Sequence, residues 1–387
     1  MTRTLSFHSS MLLRAGFLLS FLSACSPVAE PTPTPYPDTP SPPQINAPLV
    51  ESPALATIRF VNELDGWGVT ETQIVRTNDG GIMWYDVTPP DLTETGYSVD
   101  EFILDNDHVW IQKPDFENFP NGGVLYRTND GGVTWTNTNA PFSRADIAFL
   151  DPNNGWALAD LGVGAGSNAV AVYQTMDGGA NWTQKYINDP NASNASDSLP
   201  LSGLKHGLAA SNMQTAWVYG VVYTSGVPYL YRTDDGGANW TQVTSLPLPP
   251  GAENFELGVE QIKFTAENIA FLALRVAADE TKLAVYITND KGKTWTLTPT
   301  LIPNGGSADF LSGAEAVIYN GEQFYVTRDA ARTWSIIPPD VVFGETFAMM
   351  DFVNTSTGWV ITLDSTTNHR ALYRTTDGGL TWSPLVP

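Results

Sequence analysis

Short runs of alternating apolar and polar residues recur along the chain from about residue 55 onward, bounded by glycine, proline, asparagine or aspartate. Residues 125–127, 230–232 and 372–374, for example, all read Leu-Tyr-Arg. A two-residue alternation is typical of a strand with one buried face, and the bounding residues are typical of turns. The pattern therefore predicts an all-β protein built from short antiparallel strands.

A second regularity lies upstream of these runs, where an apolar residue is followed by another one seven positions later. The spacing is the same in every pair: Phe60/Trp67, Ile103/Trp110, Phe149/Trp156, Ala210/Trp217, Phe264/Phe271, Phe310/Val317 and Phe352/Trp359. Several pairs enclose a turn sequence such as Asp-Pro-Asn-Asn-Gly at 151–155. This spacing predicts one strand, a tight turn and a second strand.

The third regularity is Thr-x-Asp-Gly-Gly-x-x-Trp, which recurs with an aspartate at Asp79, Asp130, Asp177, Asp235, Asp290, Asp329 and Asp377 and a tryptophan at Trp84, Trp135, Trp182, Trp240, Trp295, Trp334 and Trp382. The aspartate can accept backbone N–H groups of a tight turn, and glycine supplies the positive φ that such a turn needs. The indole is then placed on the returning strand, where it fills the space between sheets. In the sixth copy Ala330 and Ala331 replace both glycines, so we expect a distorted or less stable turn there.

This pattern resembles the Asp-box, or bacterial neuraminidase repeat. Each repeat holds four predicted strands, and seven such antiparallel sheets arranged radially form a seven-bladed β-propeller. We therefore predict a propeller domain over residues 49–387. An open solenoid is the alternative architecture, but it would leave its terminal sheets uncovered.

The connections between repeat elements differ in how much their lengths vary. The turn between the first and second strands and the box turn keep constant lengths, whereas the connections on the opposite face vary. Because variable loops on a constant scaffold are where binding sites usually lie, the variable-loop face is the predicted partner surface. It comprises residues 85–100, 112–123, 160–170, 183–207, 219–229, 244–260, 276–282, 297–307, 336–348 and 364–370.

The N-terminal region is predicted to contain a secretory signal peptide followed by a proline-rich tether. Arg3 and Arg14 precede an apolar run at 15–24, as in a secretory signal peptide. The ending Leu-Ser-Ala-Cys25 resembles the bacterial lipoprotein signal, which implies cleavage before Cys25 and acylation of that residue. Residues 25–48 contain nine prolines and are predicted to form an extended spacer after the 1–24 signal peptide. The predicted location is the cell envelope, outside the cytoplasm.

Charge and composition exclude several function classes. The chain has 41 acidic and 19 basic residues, a formal net charge of −22, which makes nucleic-acid binding improbable. Four histidines without a short ligand spacing and one cysteine point to no metal site, and no cofactor is predicted. We expect a monomer held to the membrane through Cys25.

The inner strands bring several charged residues toward the predicted axis, and these form a possible binding rim: Arg59, Asp100, Glu101, Asp146, Lys263, Asp309 and Asp351. Sialidases, which carry the same repeat, have an Arg-Ile-Pro segment and three arginines that bind the substrate carboxylate. This chain has no Arg-Ile-Pro, and after the signal peptide the arginines that lie neither in a box nor directly before one are Arg59, Arg144, Arg275 and Arg370. No catalytic residue is therefore assigned.

Over residues 55–387 the repeats are also similar to the single-propeller family of the photosystem II assembly and stability factor. That resemblance implies a non-enzymatic scaffold that binds other proteins, although the family uses a basic surface and this chain is acidic. The predicted function is a lipid-anchored propeller that presents its variable-loop face to a protein or glycan. The alternative is a surface glycoside hydrolase, which would need two carboxylates facing each other across a cleft.

Overall fold

The computed structural model describes residues 45–93, 95 and 99–385. All of these residues belong to one compact unit. The predicted signal peptide, Cys25 and most of the proline-rich tether lie outside the described residues. At the end of the tether, Ile45 and Ala47 pack against a hydrophobic cluster of the propeller.

Four consecutive strands form a repeated antiparallel unit, and seven such units follow one another. A short strand β1 (Leu49–Val50) precedes them. Units 1 to 3 consist of β2 (Thr57–Phe60), β3 (Gly66–Val69), β4 (Ile74–Thr77) and β5 (Trp84–Asp86); β6 (Asp100–Ile103), β7 (Val109–Lys113), β8 (Val124–Thr128) and β9 (Thr136–Asn139); and β10 (Ala145–Phe149), β11 (Gly155–Gly164), β12 (Ser167–Thr175) and β13 (Thr183–Ile187).

The remaining units follow the same order, with 3-10 helices at Ala252–Asn254 and Gly344–Thr346 between strands. Units 4 to 7 consist of β14 (Leu204–Ala210), β15 (Ala216–Val222), β16 (Tyr229–Thr233) and β17 (Thr241–Gln242); β18 (Glu256–Phe264), β19 (Ala270–Ala277), β20 (Lys282–Thr288) and β21 (Thr296–Pro303); β22 (Ser307–Phe310), β23 (Ala316–Tyr319), β24 (Phe324–Thr327) and β25 (Ser335–Ile337); and β26 (Phe347–Phe352), β27 (Gly358–Asp364), β28 (His369–Thr375) and β29 (Ser383–Leu385).

The hydrogen bonding corrects the predicted number of separate blades. Units 1, 2, 3, 6 and 7 each form a sheet of their own, and β1 adds a fifth strand to unit 1. Units 4 and 5 share one eight-stranded sheet, because β15 pairs with β18 through Val221↔Gly258 and Val222↔Leu257. Five blades therefore stand alone instead of the seven predicted, and the extended end of β15 is the physical reason.

The hydrophobic core lies between the units. Each cluster of buried side chains joins two consecutive units, as where Trp110 of unit 2 packs with Ala157 of unit 3. One cluster joins the last unit to the first, with Trp359 and Ile361 against Ile58 and Phe60. This last cluster closes the ring, so the structure is a β-propeller of four-stranded antiparallel blades, not an open solenoid. Among the described residues no helix is long and apolar enough to cross a membrane.

Candidate functional site

The box turns are held by one hydrogen-bond pattern in all seven copies. In the fourth, the Thr233 hydroxyl donates to Asp235 Oδ1 at 2.8 Å, the Gly237 amide donates to Thr233 Oγ1 at 3.0 Å, and the Asn239 amide donates to Asp235 Oδ1 at 3.0 Å. The same three bonds occur in the other copies. The box aspartates are thus tied into their turns and are not free for chemistry.

These hydrogen bonds also lower the pKa values of box aspartates. Partial burial alone would raise the pKa of Asp235, but bonds from the Asn239 side chain and amide outweigh it and lower that pKa. The direction is the same at Asp130, Asp177, Asp290, Asp329 and Asp377.

The expectation of a distorted sixth turn is wrong. The Ala331 amide still donates to Thr327 Oγ1 at 3.0 Å, and the Thr333 amide still donates to Asp329 Oδ1 at 2.9 Å. Ala330 and Ala331 adopt φ values of 61° and 59°, the left-handed region that favours glycine. The turn therefore keeps its hydrogen bonds, and the strain lies in the positive φ values of Ala330 and Ala331.

The box tryptophans fill the space between sheets. Trp84, Trp240, Trp295 and Trp382 are buried, while Trp135, Trp182 and Trp334 are half-buried. The Trp240 indole donates to the carbonyl of Gly237 at 3.1 Å, within its own turn. The Trp135 indole instead donates to Val87 O of the preceding unit at 2.8 Å. The box turns and their indoles therefore have a structural role.

The arginines that precede the boxes connect neighbouring units, which the sequence analysis did not predict. Arg127 stacks over Trp110 of its own unit, 5.6 Å from the ring centroid, and donates to Pro152 O of unit 3 at 2.8 Å. Arg374 likewise stacks over Trp359 and donates to Glu63 O of unit 1 at 3.2 Å. The Tyr-Arg-Thr sequence was the available pointer to it. These arginines join neighbouring units.

Six of the seven predicted rim residues line a channel along the axis, and the seventh, Asp351, is buried beside it. Two of the aspartates link consecutive inner strands. Asp351 of unit 7 forms an ion pair with Arg59 of unit 1 at 2.7 Å and accepts a short hydrogen bond from the Phe60 amide. Asp309 of unit 6 accepts the Phe352 amide of unit 7 at 2.9 Å. Both carboxylates therefore help to close the ring at its centre.

Burial and neighbouring charges shift the pKa values of Arg59, Asp309 and Asp351. The negative charge of Asp351 raises the pKa of Arg59. Burial raises the pKa of Asp309, and the charge of Asp351 raises it further, to about 7. Burial also raises the pKa of Asp351, but the ion pair with Arg59 opposes that shift. Both carboxyls therefore have raised pKa values, and Asp351 is the one whose charge the Arg59 guanidinium stabilises directly.

Asp100 and Asp146 form a second set of links at the other end of the channel. Asp100 of unit 2 accepts two hydrogen bonds from the Arg144 guanidinium, at 3.0 and 3.1 Å. Asp146 of unit 3 accepts the Leu208 amide of unit 4 at 2.6 Å. Although its side chain is open to the channel, the surrounding protein limits its hydration and raises the pKa of Asp146.

The channel widens into two cavities that share Glu101, whose pKa is raised by burial. One cavity of about 530 Å³ is lined by Arg59, Glu101, Lys263 and Asp309. The other, of about 650 Å³, is lined by Asp100, Glu101 and Asp146, together with Lys205 and His206. The predicted rim is thus divided between two compartments. Burial, followed by the charge of Arg59, lowers the pKa of Lys263.

The arginines considered for a carboxylate clamp do not come together. Arg59 and Arg144 line different cavities of the channel. Arg370 lines a groove beside Leu55, and Arg275 pairs with Glu260 at 2.7 Å. Within residues 45–93, 95 and 99–385, no group of three or more histidine, cysteine, aspartate or glutamate side chains could hold a metal ion.

On the variable-loop face, residues 160–170 were expected to be a loop, and this expectation is wrong. β11 and β12 continue through them and end in a two-residue turn at Ala165 and Gly166, both with positive φ. A two-residue turn of this kind matches the twist of paired strands, so extra length becomes a longer hairpin. Large apolar side chains are exposed beside it, including Phe119 and Tyr223. Sequence reasoning did not single out these residues.

Comparisons with known proteins agree with the architecture. The family model of the BNR/Asp-box repeat matches residues 373–384, which include the seventh box. The chain is similar in structure to "YCF48 bound to D1 peptide", with a TM-score of 0.51 and 17% identity over 87% of this chain and 99% of that one. The chain therefore has a β-propeller fold and carries an Asp-box repeat at residues 373–384. None of the curated protein sequences matches it.

Two carbohydrate-active enzymes are more distant structural neighbours. A GH74 xyloglucanase from Xanthomonas campestris has a TM-score of 0.40 and 13% identity over 85% of this chain and 45% of that chain. A PL25 ulvan lyase has a TM-score of 0.48 and 10% identity, covering 87% of this chain and 94% of that one. Likenesses this remote share architecture and say nothing about activity.

Proposed function

We propose that this protein is a lipid-anchored, extracytoplasmic β-propeller that binds a protein or glycan partner on its variable-loop face and catalyses no reaction. In this proposal each half of the eight-stranded sheet acts as one blade, which gives a ring of seven, as in the photosystem II assembly and stability factor family. A photosynthetic role is not part of the proposal, because that family uses a basic surface and this chain carries a net charge of −22.

The observation that carries the proposal is the engagement of the axial carboxylates. A glycoside hydrolase needs one carboxyl group to give a proton and another to act as base or nucleophile. Asp309 and Asp351 have suitable residue types and raised pKa values, yet each accepts a backbone amide of the next inner strand. Asp351 is buried as well, so it is poorly placed to meet a substrate. These acids support a structural role at the axis.

The analogy with YCF48 favours a protein partner over a glycan. That propeller is described with a D1 peptide bound. Here, Phe116, Phe119 and Tyr223 are exposed in the variable loops, and aromatic side chains are enriched where proteins bind each other. The partner we propose for this chain is therefore a peptide segment of another protein.

The anchor is proposed from sequence, since Cys25 lies outside the described residues. Leu22-Ser-Ala-Cys25 resembles a lipoprotein signal, and the spacer behind it could extend up to ~70 Å at ~3.1 Å per residue. Full-length protein should fractionate with membranes, and Cys25→Ala should release it. A variant that stays with membranes would remove the lipid anchor from the proposal.

The binding function is tested with the full-length protein as bait in envelope extracts, beside a glycan array and a polysaccharide hydrolysis assay. A partner captured reproducibly, with no turnover of any polysaccharide, supports the scaffold. Cleavage of a glycan that is abolished by Asp351→Asn, in a variant with an unchanged melting temperature, would replace the scaffold by a hydrolase.

A further inference from the structure

We propose that an aromatic ridge on the variable-loop face is the docking site for a peptide that combines basic and large apolar side chains. The aromatic ridge comprises Phe116 and Phe119 of unit 2, Val163 of unit 3 and Tyr223 of unit 4. This inference rests on the proposed binding function and names the chemistry of the partner and the place where it docks.

These four side chains are among the large hydrophobic residues that the structure leaves exposed. Phe116 is 64% exposed, Phe119 40%, Val163 70% and Tyr223 61%. None of them lines either cavity of the axial channel. Exposed aromatic rings on one face keep apolar surface in contact with water unless a partner covers them. Such patches mark sites of interaction.

The extended hairpin of unit 3 brings the ridge together. A Cβ placed on Gly162 would lie 3.8 Å from the ring of Phe119, and one placed on Gly166 would lie 2.8 Å from the ring of Tyr223. The two rings therefore lie against the same hairpin near its tip, and Val163 lies between the two glycines in sequence. Three units thus contribute exposed apolar side chains around the end of this hairpin.

The hairpin is fixed to unit 4 before any partner arrives. The Asn168 side chain donates to Lys205 O at 3.0 Å and accepts the Lys205 amide at 2.9 Å. The Lys205 ammonium donates to the carbonyls of Asn168, Leu201 and Gly203, at 2.9, 2.6 and 3.0 Å. Because this anchoring is already made, binding costs little conformational entropy in the hairpin.

The loop that carries Phe119 is fixed in a similar way. The Ser143 amide donates to Pro120 O at 2.7 Å, which ties the loop to unit 3. Asp115 accepts the amides of Glu117 and Asn118, at 3.0 and 3.1 Å. The two phenylalanines are therefore presented on a closed turn.

Acidic side chains border the aromatic ridge. Asp115 and Glu117 flank Phe116 in the chain, and Asp160 precedes Gly162 in β11. Beyond Tyr223, the backbone of Glu253 lies beside Gly226. Lys113 is the base in the same loop as Phe116, and the ammonium of Lys205 is occupied by backbone carbonyls. This excess of negative charge, on a chain with a net charge of −22, is complementary to lysine and arginine.

A set of fluorescent peptides with matched length and apolar content tests the proposal on the full-length protein. One peptide carries Lys and Arg, the second carries Gln at those positions, and the third carries Asp and Glu. The basic peptide should bind at least about tenfold more tightly than the Gln peptide, and its affinity should fall as salt is added. Equal affinities for all three would refute the charge complementarity.

Variants locate the site. Phe119→Ala combined with Tyr223→Ala should weaken binding of the basic peptide by about tenfold or more, as expected for aromatic anchors at a docking site. Glu117→Gln combined with Glu253→Gln should lower both the affinity and its salt dependence. Met176→Ser is the matched control, since Met176 is 78% exposed but lies in a box turn. Its affinity should equal that of the wild type.

The outcomes separate this inference from the proposed function. If the native partner is captured equally well by wild type and by the Phe119→Ala/Tyr223→Ala variant, the scaffold stands and the ridge is wrong. If the double variant instead loses binding to a glycan on the array, while no peptide binds, the occupant is a carbohydrate and the peptide proposal fails. Circular dichroism and melting temperature confirm that each variant is folded.

Discussion

Phe60 of the first unit stacks on Trp359 of the last, with ring centroids 3.5 Å apart and planes inclined by 2°. The Trp359 indole also donates to Gly80 O of the first unit at 2.9 Å. The first and last units each draw their four repeat strands from one continuous stretch of chain, so no strand is exchanged across the seam. Side-chain packing and the Asp351–Arg59 ion pair close the ring instead.

Trp359→Leu tests that closure. The substitution removes the stacking, the indole hydrogen bond and the cation–π contact with Arg374, so we expect a loss of about 3 kcal/mol in the free energy of unfolding. Trp110→Leu is the matched control inside the ring, because Trp110 stacks on Phe149 at 3.8 Å and donates to Gly178 O at 2.9 Å. Urea unfolding should give similar losses for both. A loss confined to Trp110→Leu would indicate an open seam.

Trp240→Ala tests the role of the box indole. Trp240 is 4% exposed and packs with Trp156 and Tyr186, so its removal should cost ~3–5 kcal/mol in stability. The thermal midpoint should fall accordingly, whereas Met176→Ala in another box should leave it unchanged. An unaltered melting curve for Trp240→Ala would mean that the indole contributes nothing to the packing between units.

Asp235→Ala tests the box turn through its pH dependence. The pKa of Asp235 is lowered in the folded protein, so its contribution to stability is present above the unfolded value near ~3.9 and is lost as the pH falls through the folded pKa. At pH 7 the variant should be about 1–3 kcal/mol less stable than the wild type, through its lost hydrogen bonds. The difference should narrow at pH 3. A constant difference across this range would contradict the hydrogen-bond account.

Asp309→Asn should increase the stability of the protein at neutral pH, whereas Asp235→Ala should decrease it. The pKa of Asp309 is raised to about 7, so ionisation opposes folding progressively as the pH rises from about 4 to 7. Asparagine can still accept the Phe352 amide but carries no charge. Relative to the wild type, the variant should gain up to about 4 kcal/mol between pH 4 and pH 8, as measured by thermal melts, since each pKa unit is worth about 1.4 kcal/mol. A variant that loses stability at pH 8 would show that the charge of Asp309 is needed.

Much of the scaffold could be predicted from the sequence because each repeat carries its own local signals. A threonine, an aspartate and a positive-φ residue specify the box turn without reference to the rest of the chain. The apolar pair seven residues apart likewise marks the first two strands, as in Phe352 and Trp359. Even the sixth box keeps its geometry, because Thr327 and Asp329 retain their hydrogen bonds and Ala330 tolerates the strained φ.

The contacts between repeats could not be predicted in the same way. The pairing of Val221 with Gly258 depends on how far β15 extends past its partner, which no local motif encodes. The axial aspartates were recognised as charged rim residues, but their bonds to the next inner strand depend on the closed ring. Phe119 and Tyr223 are far apart in sequence, and they become neighbours of one hairpin only because β11 and β12 extend beyond the rest of unit 3.

Hydrogen–deuterium exchange of the full-length protein, free and bound to its captured partner, tests the central claim most directly. We predict that the partner slows exchange in the variable loops, with the greatest effect at residues 112–123, 160–170 and 219–229, and leaves the box turns unchanged. Slower exchange in the box turns, or in the inner strands that line the axial channel, with the variable loops unaffected, would contradict a docking surface on the variable-loop face.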